Sequence, residues 1–366
     1  MSSLKVAIVT LHGEFNYGNR LQNYAVQKSF EKLGCSAETV VSVERLPFTA
    51  QIKKYVRNIL IFLNKYIFKR NSQWLREYEF KAFTRKYIPS RYIKTSDGKL
   101  PKKISDEYDY FVVGSDQVWN PTFGSYEKLY DNMFLMFTKR EKKVCFSPSI
   151  GTSVIPLEWY EKFVTGFKTF PEISVREQDG ANLIYKMTGI CPQVLIDPTL
   201  MLTAEEWSQI ASPVKCTENT LYVLEYFLGN RDKSVDDQIE QFTKTKGYQR
   251  YKLLDSSQQN LYCSGPHQFI TLISHAAVVY TDSFHACVFS IIFGIPFVIL
   301  KRKDYMPNMY SRIDTLLALF GIRDDIGSIE NPIKIDKEIR QRVLINQQNK
   351  VKEFLINRIR ACGGQV

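Results

Sequence analysis

The sequence is poor in groups that hold metals. Its 366 residues contain four histidines and seven cysteines, and Cys35, Cys145, Cys191, Cys216, Cys263, Cys287 and Cys362 form no CxxC pair. Cys287 lies two positions from a histidine, His285. With no carboxylate–histidine cluster at ligand spacing either, no metal site is expected. An odd set of scattered cysteines fits reduced thiols. No stretch approaches the roughly 18–20 apolar residues of a membrane span. The opening MSSLKVAIVTLHGEF has an apolar run too short for a signal peptide, so a cytoplasmic protein is expected. Internal repeats and low-complexity tracts are absent, and so are GxGxxG and Walker patterns.

The composition is that of a soluble globular chain, 44% hydrophobic and 24% charged. Its length exceeds one ordinary core and suggests two domains. The net charge of +11 is uneven: between Gln51 and Lys103 fifteen Lys or Arg face three Asp or Glu, a surplus of +12, leaving the rest near neutral. In this segment Ile52, Tyr55, Val56, Ile59, Leu63, Tyr66 and Ile67 recur at helical spacing, accompanied by Lys53, Lys54, Arg57, Lys65, Lys69 and Arg70. Such a basic amphipathic helix suits an anionic membrane surface; it equally suits a helix packed on its own domain with a solvated basic face. No motif supports nucleic acid as a partner.

Elsewhere the chain alternates strand and helix. KVAIVTL, the loop HGEFNYGNRLQN, the helical LQNYAVQKSFEKLG and the strand AETVVSV open a parallel sheet. YDYFVVGSD and KVCFSPSIG read as further buried strands, and ISVREQDGANLIYKMTG as a strand turning into a helix. CPQVLIDPTLML reads as a linker, after which NTLYVLEYFLG, AAVVYTD, IPFVIL and the helical SRIDTLLALFG repeat the pattern. The expectation is α/β: two Rossmann-like domains facing a cleft, over 1–194 (with a basic helical insertion at about 51–103) and 195–330, then a C-terminal helical segment at 331–366. Ligands of open α/β sheets sit at the carboxyl ends of strands, which directs attention to the loops there.

One such loop lies in YTDSFHACVFSIIFGIP, Tyr280 to Pro296. A strand ends, Thr281–Ser283 turns, and a nearly all-apolar helix begins, with Ser283 or Asp282 as its N-cap. His285 then falls in the first turn, beside unpaired N–H groups and the positive end of the helix dipole. That place suits phosphate or carboxylate; a capping cluster with a satisfied histidine is the structural alternative.

The region Gly265 to Val298 that contains this stretch resembles the signature of the polysaccharide pyruvyl transferase family. FNYGNRLQNYAVQ, FVVGSDQVWNP, ISVRE, VLIDPTLML and SRIDTLLALFGI resemble its other motifs, in order, from about residue 5 to 325. Where the family carries Gly-Thr after Ser-Phe-His, this chain has Ala286–Cys287. The resemblance implies a GT-B-like fold and transfer of pyruvate from phosphoenolpyruvate to two hydroxyls of a sugar, without a cofactor. The acceptor would be built into a capsular or exopolysaccharide, carried on a polyprenyl diphosphate at the inner face of the cytoplasmic membrane. Against that chemistry His285 holds the phosphate and passes a proton, with Ser283 and Asp282 beside it. Arg176 takes the donor carboxylate as a bidentate fork, and Arg312 adds a cation. Asp116 orients or deprotonates a sugar hydroxyl, and Trp119 stacks on a sugar ring. Gly18, Asn19 and Gln22 serve the acceptor side. Two other readings stay open: a nucleotide-sugar glycosyltransferase, with Glu225 as its ribose acid, and a non-catalytic protein binding membrane or polymer.

Overall fold

The computed structural model describes residues 3–13, 15–68, 71–124, 126–214, 220–300, 310–323 and 326–360. Lys69, Arg70, Cys216 and Cys362 lie outside the described residues.

The first half is built on five parallel strands: β1 (Lys5–Val9), β2 (Ser36–Glu44), β3 (Ser90–Thr95), β4 (Tyr110–Asp116) and β5 (Lys143–Pro148), in the order β3-β2-β1-β4-β5. Helix α1 (Tyr17–Lys32) follows β1, and β2 leads into α2 (Phe48–Leu63) and α3 (Ser72–Tyr87). Next come α4 (Tyr126–Met133), α5 (Leu157–Lys168), the short strands β6 (Ser174–Val175) and β7 (Gln193–Val194), which pair with each other, and α6 (Gln178–Thr188) between them. β4 and β5 are buried along their whole length, as near-continuous apolar runs in a sheet covered on both faces must be.

Helix α7 (Ala204–Ser208) leads to the second sheet. Its strands β8 (Tyr222–Tyr226), β9 (Gln249–Lys252), β10 (Val278–Thr281) and β11 (Phe297–Ile299) are again parallel, in the order β11-β10-β8-β9. Its helices are α8 (Lys233–Lys246), α9 (Gln259–Tyr262), α10 (Pro266–Ser274), α11 (Phe284–Phe293) and α12 (Ser311–Ala318).

Both strand orders reverse direction once, between β1 and β4 and between β8 and β10. At such a switch point adjacent connections leave to opposite faces and open a crevice. Helix α1 leaves the first crevice and α11 the second, and their first turns touch. Tyr17 in α1 stacks on Phe269 of α10 at 4.7 Å and donates its hydroxyl hydrogen bond to the Ser264 carbonyl. One apolar cluster runs from Val6 and Phe30 through Trp207 and Phe289 to Ile359, so the two sheets share a core.

One stretch differs from the sequence reading. Helix α1 begins at Tyr17, inside what reads as a loop, because the Asn16 side chain accepts from Asn19 N and caps the first turn. The C-terminal segment is helical as expected, α13 (Lys337–Arg360), and it packs on both halves. Arg340 donates to the Ile291 carbonyl at the end of α11, Gln348 to Leu200, and Arg358 to Lys143 at the start of β5. The chain thus crosses back from the second sheet to the first.

Candidate active site

Where the two crevices meet is an open cavity of about 120 Å³. Its walls include Asn16, Ser283 and Tyr310, the N-caps of α1, α11 and α12, together with Asp116, Asp282, His285 and Arg312. Three helix N-termini and a guanidinium thus converge on one space, an arrangement suited to an anion with more than one charged group.

His285 lies in the first turn of α11, 8% exposed. Its imidazole is held between two elements. On one side Nε2 faces Asp197 Oδ2 at 3.7 Å, with no hydrogen-bond partner of its own. On the other lies Gly18: a Cβ there would come within 2.0 Å of His285 Nδ1. Gly18, expected on the acceptor side, therefore makes room for the histidine. It sits in the first turn of α1 and is glycine because the ring from the second domain occupies the space of a side chain.

Asp197 is the residue the sequence reading missed. It sits in the stretch read as a linker, fully buried, and caps a single 3-10 turn, Pro198–Met201. Oδ2 accepts from Arg176 Nη1 at 2.6 Å and Ser115 Oγ at 2.8 Å, while Oδ1 accepts from the amide and hydroxyl of Thr199. Burial opposes its ionisation, but the facing His285, the Arg176 guanidinium and the Thr199 hydroxyl outweigh it and hold the carboxyl well below the usual carboxylate range. Asp before Pro-Thr is a cap signal in the sequence; nothing local reveals that the other oxygen faces a histidine 88 positions away.

Arg176 pairs with Asp197, rather than with Glu177 or Asp179, and is not a wall of the main cavity. Glu177 instead accepts from Ser149 Oγ and the amides of Ile150 and Gly151. Arg176 lines a smaller space of about 20 Å³ with Asp197, Phe284 and Arg312, its Nε and Nη2 buried without a hydrogen-bond partner. The Phe284 ring joins the two spaces, its centroid 4.5 Å from the Arg176 guanidinium and 5.9 Å from that of Arg312.

Asp116 ends β4 with a left-handed backbone, φ +85°, a conformation that few non-glycine residues adopt. Its carboxylate accepts from Asn19 Nδ2 at 2.7 Å and from the Gln117 amide, and its carbonyl from the Ser149 amide, so the strained turn is held from three sides. Asp282 lines the cavity, yet its two oxygens accept from the amides of Leu228 and Gly229 and tie the loop after β8 across the switch point. Ser283 is the N-cap of α11 by position, with no side-chain capping bond.

Four expected contacts are corrected. Trp119 is fully buried, its indole donating to the Met133 carbonyl and its ring packed on Phe134, Phe167 and Phe170, so it has no face for a sugar. The Asn19 side chain is spent on Asp116, Gly13 and Arg20, and Gln22 Nε2 on Thr10 and the Asn19 carbonyl. Both are buried away from the cavity and act as scaffold. Glu225 is held by Arg250 and Arg231, which leaves no carboxylate for a ribose. Ala286 and Cys287 face the core, so the departure from Gly-Thr does not touch the cavity wall. Among the described residues no group of three His, Cys, Asp or Glu is placed to hold a metal ion.

Residues 16–304 match the family model described as polysaccharide pyruvyl transferase. No curated protein sequence matches the chain. Among solved structures, one assigned as a UDP-N-acetylglucosamine 2-epimerase from Listeria monocytogenes superposes with a TM-score of 0.52 at 8% identity, covering 97% of this chain and 91% of that one. The UDP-GlcNAc 2-epimerase from Neisseria meningitidis gives 0.47 at 10% identity, covering 96% and 94%. A glycosyltransferase from Rickettsia africae gives 0.46 at 12%, covering 98% and 100%. The Listeria likeness shows the fold, two Rossmann-like domains in a GT-B arrangement.

Proposed function

The chain belongs to the polysaccharide pyruvyl transferase family, and from that premise we propose that it transfers pyruvate from phosphoenolpyruvate to two hydroxyls of one sugar in a polysaccharide precursor. The acceptor we assign is a capsular or exopolysaccharide unit carried on a polyprenyl diphosphate at the inner face of the cytoplasmic membrane.

The reaction needs three things of the protein. Phosphoenolpyruvate carries a phosphate and a carboxylate, so its site needs donors and cations. Its methylene carbon must gain a proton, which turns the adjacent carbon into a cationic centre. One sugar oxygen then bonds to that carbon, its proton returning to the group that protonated the methylene carbon. The C–O bond to phosphate breaks, and the second sugar oxygen takes the vacated position, its proton leaving to the phosphate. The products are a cyclic ketal and inorganic phosphate.

The single observation that carries this reading is the convergence of His285, Arg312 and three helix N-termini on one cavity. In it the N-termini and Arg312 hold the two anionic groups. His285, oriented by Asp197 and Gly18, delivers the proton to the methylene carbon. Asp116, on the opposite wall, accepts a hydrogen bond from a sugar hydroxyl. Arg176 serves from behind the wall, compensating the Asp197 charge rather than gripping the donor. The occupation of Glu225 removes the support for a nucleotide-sugar donor.

Thermal unfolding with phosphoenolpyruvate tests the reading. At about a hundred times its dissociation constant a ligand stabilises by roughly 2.7 kcal/mol. The shift should appear in the parent and vanish in Arg312→Ala. No shift with phosphoenolpyruvate and a clear one with a nucleotide sugar would overturn it.

A further inference from the structure

Helix α2 is built inside out. Phe48, Ile52, Tyr55, Ile59 and Phe62 follow one another three or four residues apart and so form one stripe along the helix. A stripe of this kind normally packs on the core. Here all five are exposed, Phe48 at 75% and Tyr55 at 68%, while the buried contact comes from Ile61, on the other side, at 3%. That inner side is tied to α3 by an ion pair from Arg57 to Glu77, and just beyond the end of α2 Lys65 pairs with Glu79. Tyr66 and Ile67 prolong the exposed apolar surface beyond the helix end.

The charge around the stripe has one sign. No Asp or Glu occurs between Arg45 and Arg76. Glu77, which follows, is fully buried beneath Arg57 and Lys81, and Glu79 pairs with Lys65. Lys53 and Lys54 are exposed to either side of the helix, beyond the edges of the stripe. An exposed aliphatic and aromatic stripe on a helix whose other half carries lysines long enough to reach the headgroups, with no acid to repel lipid phosphate, matches the interface of an anionic bilayer. A second copy of the chain would bring the same lysines together, and a nucleic-acid backbone would leave the apolar stripe in water.

We infer that α2 docks the enzyme on an anionic lipid surface, its stripe among the upper acyl chains and Lys53 and Lys54 at the headgroups. The position relative to the cavity gives the docking a use. Helix α3, on which α2 rests, donates from Arg76 to the Phe15 carbonyl, and the next residue, Asn16, is a wall of the cavity. The membrane-facing hairpin thus stands one helix from where the acceptor must enter. For its purpose this inference rests on the lipid-borne acceptor proposed above; its geometry does not.

Flotation of the full chain tests it, using vesicles of phosphatidylcholine with about a quarter phosphatidylglycerol, and of phosphatidylcholine alone, at about 0.15 M salt. The parent should rise with the anionic vesicles and stay down with the neutral ones. Phe62→Glu should abolish flotation. Lys53→Gln and Lys54→Gln should each weaken it about fivefold. A parent that stays down with both, or a Phe62→Glu protein that floats like the parent, would overturn the inference. So would light scattering that finds a dimer in the parent and a monomer in Phe62→Glu without flotation, because a second copy would then cover the stripe. Stabilisation by phosphoenolpyruvate, measured on the same samples, separates the two proposals. Loss of flotation with stabilisation intact bears on docking alone, and flotation without stabilisation bears on the donor.

Discussion

The two walls of the cleft are made of similar parts and treat them differently. On the first-domain wall, Asn19 donates to Asp116 and accepts from Gly13 and Arg20, Gln22 is turned onto Thr10, and the Asp116 carboxylate takes two hydrogen bonds. On the second-domain wall, His285 Nε2 is buried with no hydrogen-bond partner. A buried polar atom without a partner costs stability, and both walls carry one, Gln22 Oε1 on the first and His285 Nε2 on the second; the difference is that the imidazole can carry a proton and the amide cannot. The first wall gives shape; the second gives protons and charge.

The sharpest way to break this contrast is His285→Ala. Activity should fall by about 10²–10⁴, the range for losing a positioned proton donor, while the unfolding temperature stays close to the parent's. Steady-state rates and a thermal melt check it; a fully active His285→Ala protein would move the proton donor elsewhere. Asp197→Asn comes next. It leaves the buried Arg176 charge unpaired and should cost about 3–5 kcal/mol in urea unfolding. In the parent the Asp197 carboxyl is held below its unfolded value, so its contribution is complete above the unfolded range and is lost only as pH falls through the lowered one. The parent's excess stability over Asp197→Asn should therefore persist through mildly acidic pH and fade only in strong acid.

Gly18→Ala sharpens the comparison from the other side. It adds one carbon to the scaffold wall, within 2.0 Å of His285 Nδ1. Displacing the ring should lower the rate about 100-fold for a stability loss of about 1–3 kcal/mol. The smallest effect is expected at His12, outside the cavity. Burial first, and then the nearby Arg20, push its imidazole from 6.5 down to about 4. The unfolded chain takes up that proton before the folded one, so the neutral ring's contribution is present above pH 6.5 and falls as pH drops from 6.5 to 4. Comparing melts of the parent and His12→Asn across that interval should show a difference of on the order of 2 kcal/mol developing.

Local patterns made much of this molecule readable. A β-branched run followed by a turn and an apolar helix located β10, the Ser283 cap and His285. A buried strand ending in Gly-Ser-Asp located Asp116. Pairings across the fold were not readable: Asp197 meets Arg176 because β6 pairs with β7, and His285 because the second domain closes on the first. Side-chain direction was equally hidden. Trp119 follows a strand end, where an aromatic ring can turn either outward to a ligand or inward to Phe134, and one chain without its partners does not say which. Periodicity found Ile52, Tyr55 and Ile59 of the α2 stripe, missed Phe48 and Phe62, and could not tell which side of that helix the protein would use.

Helix α13 sets a limit on how the molecule can be taken apart. Because Arg340 closes the end of α11 and Arg358 the start of β5, the final stretch of the chain belongs to both halves. Cutting near residue 195 to express each half alone would strand the floor of the first on the second. Trimming the last thirty residues as a disposable tail would open both at once. The smallest portion that can be expected to fold is the one that keeps its end.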